Sequence, residues 1–278
     1  MRRKFSLIIW LLFMGCAAHA QKLPNVQVKG IRAPDNIKID GKAIEWNNQF
    51  QAYNKATNLF YTISNDDENL YLIIQADDPV YITKILSGGI TFTVNKSGEK
   101  NTENAISVTY PIIDPGNKPN VHFQNIPVIV LGDKTSVLKA DSFMNDNNRR
   151  VTNSFKWIRI TGIKGLDTLT SVYNREGVKA AGLFDNKMVY TCEFLIALKY
   201  LGLSVQNPTN FSYQIVSNGI NLSNLDGGPV TIAPPPGSRP GTIAAIAGPP
   251  QGGYNFNRND FKVLISNTNF WGQYILKK

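Results

Sequence analysis

The amino-acid sequence predicts an all-β fold, an antiparallel β-sandwich with one or two short helices and long loops. Three observations carry this reading. Apolar and polar residues alternate in run after run, as at Leu59, Tyr61 and Ile63 or at Ile90, Phe92 and Val94, which is the two-residue period of a strand. Turn-forming residues separate these runs, as at Asp40-Gly41, Asn65–Glu68 and Asp185-Asn186-Lys187. About ten strand signals stand against only a few short helical ones. The 278 residues are 42% hydrophobic and 18% charged, apolar enough for a sizeable core. No internal repeat is visible, so one sandwich domain over 21–278 is the expected organisation.

The elements follow in order. Strands are expected over 24–31 and 37–40, the second closed by Asp40-Gly41 and followed by Trp46. Residues 59–63 and 70–76 read as a hairpin around the polar corner 65–68. The second arm is apolar on both faces, which predicts a central strand. A helical turn over 80–86 precedes strands over 90–94 and 105–110. Between 111 and 153, prolines 111, 115, 119 and 127 break the chain. A long excursion is expected there, with a short strand at 128–130 and a helix over 136–150. Strands resume over 155–163, 169–173, 178–184 and 188–195. A helical turn over 196–201 is closed by Gly202, and a strand follows over 211–215. Residues 226–253 are rich in Gly and Pro and read as a loop. Closing strands are expected over 261–266 and 270–276.

The first twenty residues are set apart. Arg2, Arg3 and Lys4 precede an apolar run, and Ala18-His19-Ala20 forms a cleavage site before Gln21, the layout of a secretory signal peptide at 1–20. The alternative is a lipoprotein acylated at Cys16. Phe13 and Met14 occupy the positions where lipidation favours leucine and a small residue, so cleavage after Ala20 is the expectation. The mature chain would then be periplasmic or secreted. Losing Arg2, Arg3 and Lys4 takes the net charge from +9 to +6. The remaining basic residues are scattered, unlike the concentrated stripe of a nucleic-acid binder. Cys192 would be the one cysteine left, which rules out an internal disulfide, and its strand position reads as core.

IKIDGKAIEW followed by NDDENLYLIIQADD resembles the opening of family 9 carbohydrate-binding modules and their DOMON-like relatives. The matching positions are Asp40, Gly41, Trp46, Leu70, Tyr71, Asp77 and Asp78. YTCEFLIALKYLGL is similar to the same group's Tyr-x-x-Glu strand through Tyr190, Glu193, Leu198 and Leu201, and FWGQYIL to its closing strand. The resemblance implies a jelly-roll-like, DOMON-type sandwich that binds a glycan or envelope polymer. One departure matters. Thr91 and Asn95 stand where sugar-binding members carry a glutamate and an aspartate. The alternative is therefore a structural or protein-interaction module of the cell envelope that has lost sugar binding.

Glycans are held by flat aromatic faces beside hydrogen-bonding side chains. Trp46 reads as a core residue, and so does Trp271 beside Phe270. In FKWIRI, Ile158 and Ile160 facing inward would leave Trp157 and Arg159 outward as a ligand-binding pair, and the reverse facing is equally allowed. Asp66, Asp67, Glu68, Asp77 and Asp78 could offer oxygens to calcium, or simply solvate the ends of a hairpin. Zinc, a Ser-His-Asp triad and axial haem ligation would all draw on His122, joined for haem only by Met144 and Met188. No nucleophile elbow and no distinctive carboxylate pair appears. The sequence therefore reads as non-catalytic, with no cofactor expected.

Overall fold

The computed structural model describes residues 22–114, 117–220 and 258–278. The expected signal peptide at 1–20 and the Gly/Pro-rich stretch at 226–253 lie outside these residues.

The fold is a β-sandwich of two antiparallel sheets. The first contains β1 (Ala52–Asn54), β2 (Leu59–Asn65), β3 (Asn69–Ala76), β8 (Val178–Phe184) and β9 (Tyr190–Ala197), in the order β1-β2-β3-β9-β8. The second contains β4 (Ile90–Asn95), β5 (Ile106–Tyr110), β6 (Trp157–Thr161), β7 (Leu169–Ser171), β10 (Asn210–Ser217) and β11 (Thr268–Ile275), in the order β11-β10-β4-β5-β6-β7. The inner faces meet in one buried cluster that runs from Ala52 to Leu276. Phe92 of β4 meets Phe194 of β9 at 6.4 Å, and Tyr61 of β2 meets Phe270 of β11 at 5.0 Å. These ring contacts join the two sheets.

The expected hairpin is β2–β3, and β3 is central, flanked by β2 and β9. Its two apolar faces have different tasks. Leu70, Leu72 and Ile74 face the sandwich core. Tyr71 and Ile73 face outward, into a second buried cluster with Ala43 and Trp46. The segment 33–50 lies over that outer face, so 37–40 is a covering segment and not a strand.

The expected strand at 24–31 is also absent. β1 covers only part of β2, leaving the Ile63–Asn65 end of that edge open. The side chain of Gln27 fills the gap in the manner of a backbone, accepting from Ile63 N and donating to Ile63 O, both at 2.8 Å. Ile31 and Ala33 then bond Asn65 from the same side. Ile31 N and O also meet the Tyr274 hydroxyl, so this segment ties the first sheet to β11. Side-chain and single backbone bonds thus replace a regular ladder.

Four helices lie among the described residues. α1 (Pro79–Gly88) is capped by Asp78, whose carboxylate accepts from Val80 N at 2.8 Å, with proline at the tolerated first position. α2 (Lys134–Ser154) falls in the excursion, longer at both ends than the expected 136–150. Its Asn148 accepts from Phe184 N at 2.7 Å and donates to Phe184 O at 2.9 Å, satisfying part of the open edge of β8. α3 (Leu198–Leu201) ends at Gly202 in the left-handed conformation, as its sequence signals. α4 (Arg258–Ile265) occupies the place where a strand over 261–266 was expected. Asp260 in its first turn and the spacing of Phe261, Leu264 and Ile265 suit a helix, and so short an apolar run does not discriminate by itself. Residues 128–130 form no strand. Among the described residues no helix is long and apolar enough to cross a membrane.

Candidate functional site

The opening motif and the Tyr-x-x-Glu strand converge on one residue. Glu193 sits on the outer face of β9, beside Ile73 of β3 and Ala181 of β8, and is 1% exposed. One carboxylate oxygen accepts from Asp40 N at 3.0 Å and Gly41 N at 2.9 Å, and the other from the Trp46 indole Nε1 at 3.0 Å. Gly41 has φ +80, and a side chain there would meet Leu183 N at 2.6 Å and Gly182 C at 2.7 Å. Only glycine lets the turn approach β8 this closely. Burial lifts the Glu193 carboxyl to about 7, against the opposing pull of the Trp46, Gly41 and Asp40 donors. Trp46 is buried as expected, at 6% exposure. This group is a structural clamp that pins the 33–50 cover onto the sheet, closed to any ligand.

The outer face of the second sheet is different. On β6, Ile158 and Ile160 are buried while Trp157 and Arg159 face outward, and Trp157 is 40% exposed. Two residues apart on one strand, they share a face about 7 Å from each other. Register extends that face across the sheet. Arg159 pairs with Thr109 of β5, which pairs with Thr91 of β4. One row over, Thr161 pairs with Ser107, Ser107 with Thr93, Thr93 with Gln214 of β10, and Gln214 with Trp271 of β11. The hydroxyls of Thr91 and Thr109 lie 2.9 Å apart, and those of Thr93 and Ser107 2.8 Å. Trp271 is therefore not core. Phe270, Gly272 and Tyr274 take the inward positions of β11 and leave Trp271 half-buried on the outer face. On an untwisted lattice the two tryptophans lie about 23 Å apart, across four strand spacings.

The residues at the departure from the sugar-binding pattern have distinct places. Thr91 lies on this outer face, half-exposed. Asn95 is buried and organises the following turn, donating to Asn101 O at 3.1 Å and accepting from Ser97 N at 3.0 Å.

The carboxylates considered for calcium do not come together. Asp66–Glu68 and Asp77-Asp78 lie at opposite ends of the eight-residue β3, about 26 Å apart. Asp66 accepts from Asn69 N and the Tyr71 hydroxyl, both at 2.6 Å, and from Glu68 N at 2.8 Å. Burial opposes its ionisation, but these donors outweigh it and hold the carboxyl below its ordinary value. Asp67 pairs with Arg32 at 2.8 Å, and Asp78 caps α1. Among the described residues no group of three or more His, Cys, Asp or Glu is placed to hold a metal ion. The backbone of His122 is held by Asn147, whose amide also reaches the Met188 sulfur at 3.8 Å. Cys192 is fully buried, and burial pushes its thiol well above the ordinary range.

A cleft of about 600 Å³ opens where the β2–β3 corner meets α3, lined in part by Asp67, Glu68, Arg175, Glu176 and Lys199. Its carboxylates and cations are mixed, and no aromatic ring lines it.

Fold and surface together define a two-sheet antiparallel β-sandwich with one clamped, covered sheet and one outward face that carries hydroxyls, amides, Arg159, two tryptophans and, at its edges, Leu169 and Ile275. The chain matches no family model and no curated protein.

Proposed function

We propose that this chain is a non-catalytic, exported glycan-binding protein that uses the outer face of the second sheet. The observation that carries the reading is Trp157 beside Arg159, outward and accessible, on a face of hydroxyls and amides with exposed Leu169 and Ile275 at its two edges. A ring stacks on the apolar face of a sugar, while hydroxyls, amides and a guanidinium satisfy its hydroxyl groups. The likeness of the IKIDGKAIEW and YTCEFLIALKYLGL segments to carbohydrate-binding modules supports the same reading, as does the signal-like leader, which suits a periplasmic or secreted location. The departures at Thr91 and Asn95 argue for a mode of sugar recognition different from the usual one. The test is retention of the purified protein on immobilised polysaccharides, wild type against Trp157→Ala. The variant is expected to lose about 1–3 kcal/mol of binding free energy with an unchanged melting temperature. A loss of folding would mean the ring is structural, and unchanged retention would move the ligand elsewhere.

A second reading, a protein-contact module of the envelope, is favoured by one observation. Val128, Val130, Leu131 and Leu138 are all more than half exposed around the start of α2, with Leu131 fully so. Val130 N donates to Ser136 Oγ at 2.9 Å, which holds that loop against the helix. Retention on no polysaccharide, together with a sharp gain in solubility on Leu131→Ser, would favour this reading.

A further inference from the structure

Charge on the outer face of the second sheet is arranged in an unusual way. The outward positions of β4, β5, β6, β7, β10 and β11 carry no aspartate and no glutamate. Their single charged side chain is Arg159. A protein surface ordinarily intersperses both signs of charge. Elsewhere Arg32 pairs with Asp67, and Arg149 and Arg150 both pair with Asp146, while Arg175 beside the β2–β3 corner forms no ion pair among the described residues. Arg159 has no such partner among the described residues. Its cross-strand neighbours are Thr109 and Leu169, neither of which neutralises it.

The site that sugar-binding relatives build with acidic side chains would repel a carboxylate on the ligand. Here that acidic position is Thr91, in the same cross-strand row as Arg159 and one strand beyond Thr109. A planar guanidinium with five donors matches a carboxylate bidentately, and the two tryptophans with the half-exposed Ser107 and Thr109 hydroxyls suit the rest of a sugar chain, whereas Thr93 is buried and Thr91 is engaged by Asn218. Resting on the glycan-binding reading, we infer that the ligand is an acidic polysaccharide, with a uronic-acid carboxylate seated on Arg159 and its ring against Trp157. A face without carboxylates admits a polyanion along its whole width with no like-charge penalty.

The experiment measures retention of the full purified chain on four matrices: polygalacturonate, the same polymer fully methyl-esterified, a neutral glucan, and that glucan sulfated. Wild type, Arg159→Gln, Trp157→Ala and Lys179→Gln are compared. Lys179 is exposed on β8 in the other sheet and serves as the control for diffuse positive charge. Wild type is expected to prefer polygalacturonate over its ester by about tenfold or more, a preference abolished in Arg159→Gln and kept in Lys179→Gln. Stronger binding to the sulfated glucan than to polygalacturonate would overturn the carboxylate assignment in favour of sulfate. Equal retention on charged and esterified polymer would overturn the acidic-ligand inference while leaving glycan binding intact. An equal loss in Lys179→Gln would reduce the effect to net charge and overturn it. Binding to none of the four would overturn the glycan reading itself.

Discussion

Replacing Glu193 by alanine should destabilise the fold sharply without touching the proposed binding face. The carboxylate serves three donors, Asp40 N, Gly41 N and Trp46 Nε1, at 2.9–3.0 Å. Each donor left without a partner in a buried place costs about 1–3 kcal/mol. Asp40 is half-exposed and water can replace its lost partner, so two buried donors dominate. Relief of the desolvated carboxylate offsets part of the loss. The net expectation is roughly 2–4 kcal/mol, or about 5–15 °C in melting temperature for a domain of this size. Trp46→Phe removes one donor and keeps most of the packing, so it should cost about 1–2 kcal/mol. Because both residues act through one hydrogen bond, the double variant should fall short of additivity by about 1 kcal/mol. The titration has a definite sign. With a folded value of about 7 against an ordinary 4.5, the native state holds the proton more readily than the unfolded chain. The stabilisation from this group is therefore complete below pH 4.5 and is lost as pH rises through about 7. The melting-temperature gap between wild type and Glu193→Gln should narrow over that window. Circular-dichroism melts from pH 4.5 to 8 read all of this. An alanine variant that melts with wild type, or additive single variants, would refute the clamp.

The remaining predictions concern other parts of the molecule. Gly41→Val should cost on the order of 1–3 kcal/mol, because its φ of +80 and the backbone of Gly182 and Leu183 exclude a β-branched side chain; melts equal to wild type would contradict this. Lys84 is fully buried, donates to Thr268 Oγ1 at 2.8 Å, and burial alone pulls its ammonium down to about 8. Stability should rise as pH climbs from about 8 toward 10.5, and Lys84→Met should raise the melting temperature at pH 7 and abolish that rise. A destabilised Lys84→Met would mean that the hydrogen bond to Thr268 outweighs the cost of burying the ammonium. If the chain is exported as proposed, its intact mass should correspond to a start at Gln21; an uncleaved mass would refute the proposed cleavage, and a diacylglycerol adduct on Cys16 would instead establish the lipoprotein form.

The outer face of the second sheet, the proposed binding face, was half visible in the sequence. Alternation in FKWIRI admits only two facings, and Ile158 and Ile160 face inward because the β5–β6 register sets Ile160 beside the buried Val108 and Arg159 beside the outward Thr109. The hydroxyl rows that extend the face were not visible. Thr91, Thr93, Ser107 and Thr109 become neighbours only through the β4–β5 register. Trp271 was misread because Phe270 beside it was equally apolar, and which of two adjacent aromatics enters the core depends on the register of β11 against β10. Glu193 was legible as a motif position and not as a clamp, since its partners are more than 140 residues away in the chain.

Local patterns by themselves determined the class of fold, the β2–β3 hairpin, the centrality of β3, the α2 region and the tight turns. Each depends on residues within one or two turns of each other, where period and backbone preference decide. Only the tertiary structure decided that 24–40 would cover a sheet edge and face and not extend as strands, that 258–265 would be helical, and that a carboxylate-free face would surround Arg159. Those outcomes depend on which edge stands open, which apolar surface needs a cover, and which strands fall into register. They are properties of the assembled sheets, and no window of the chain contains them.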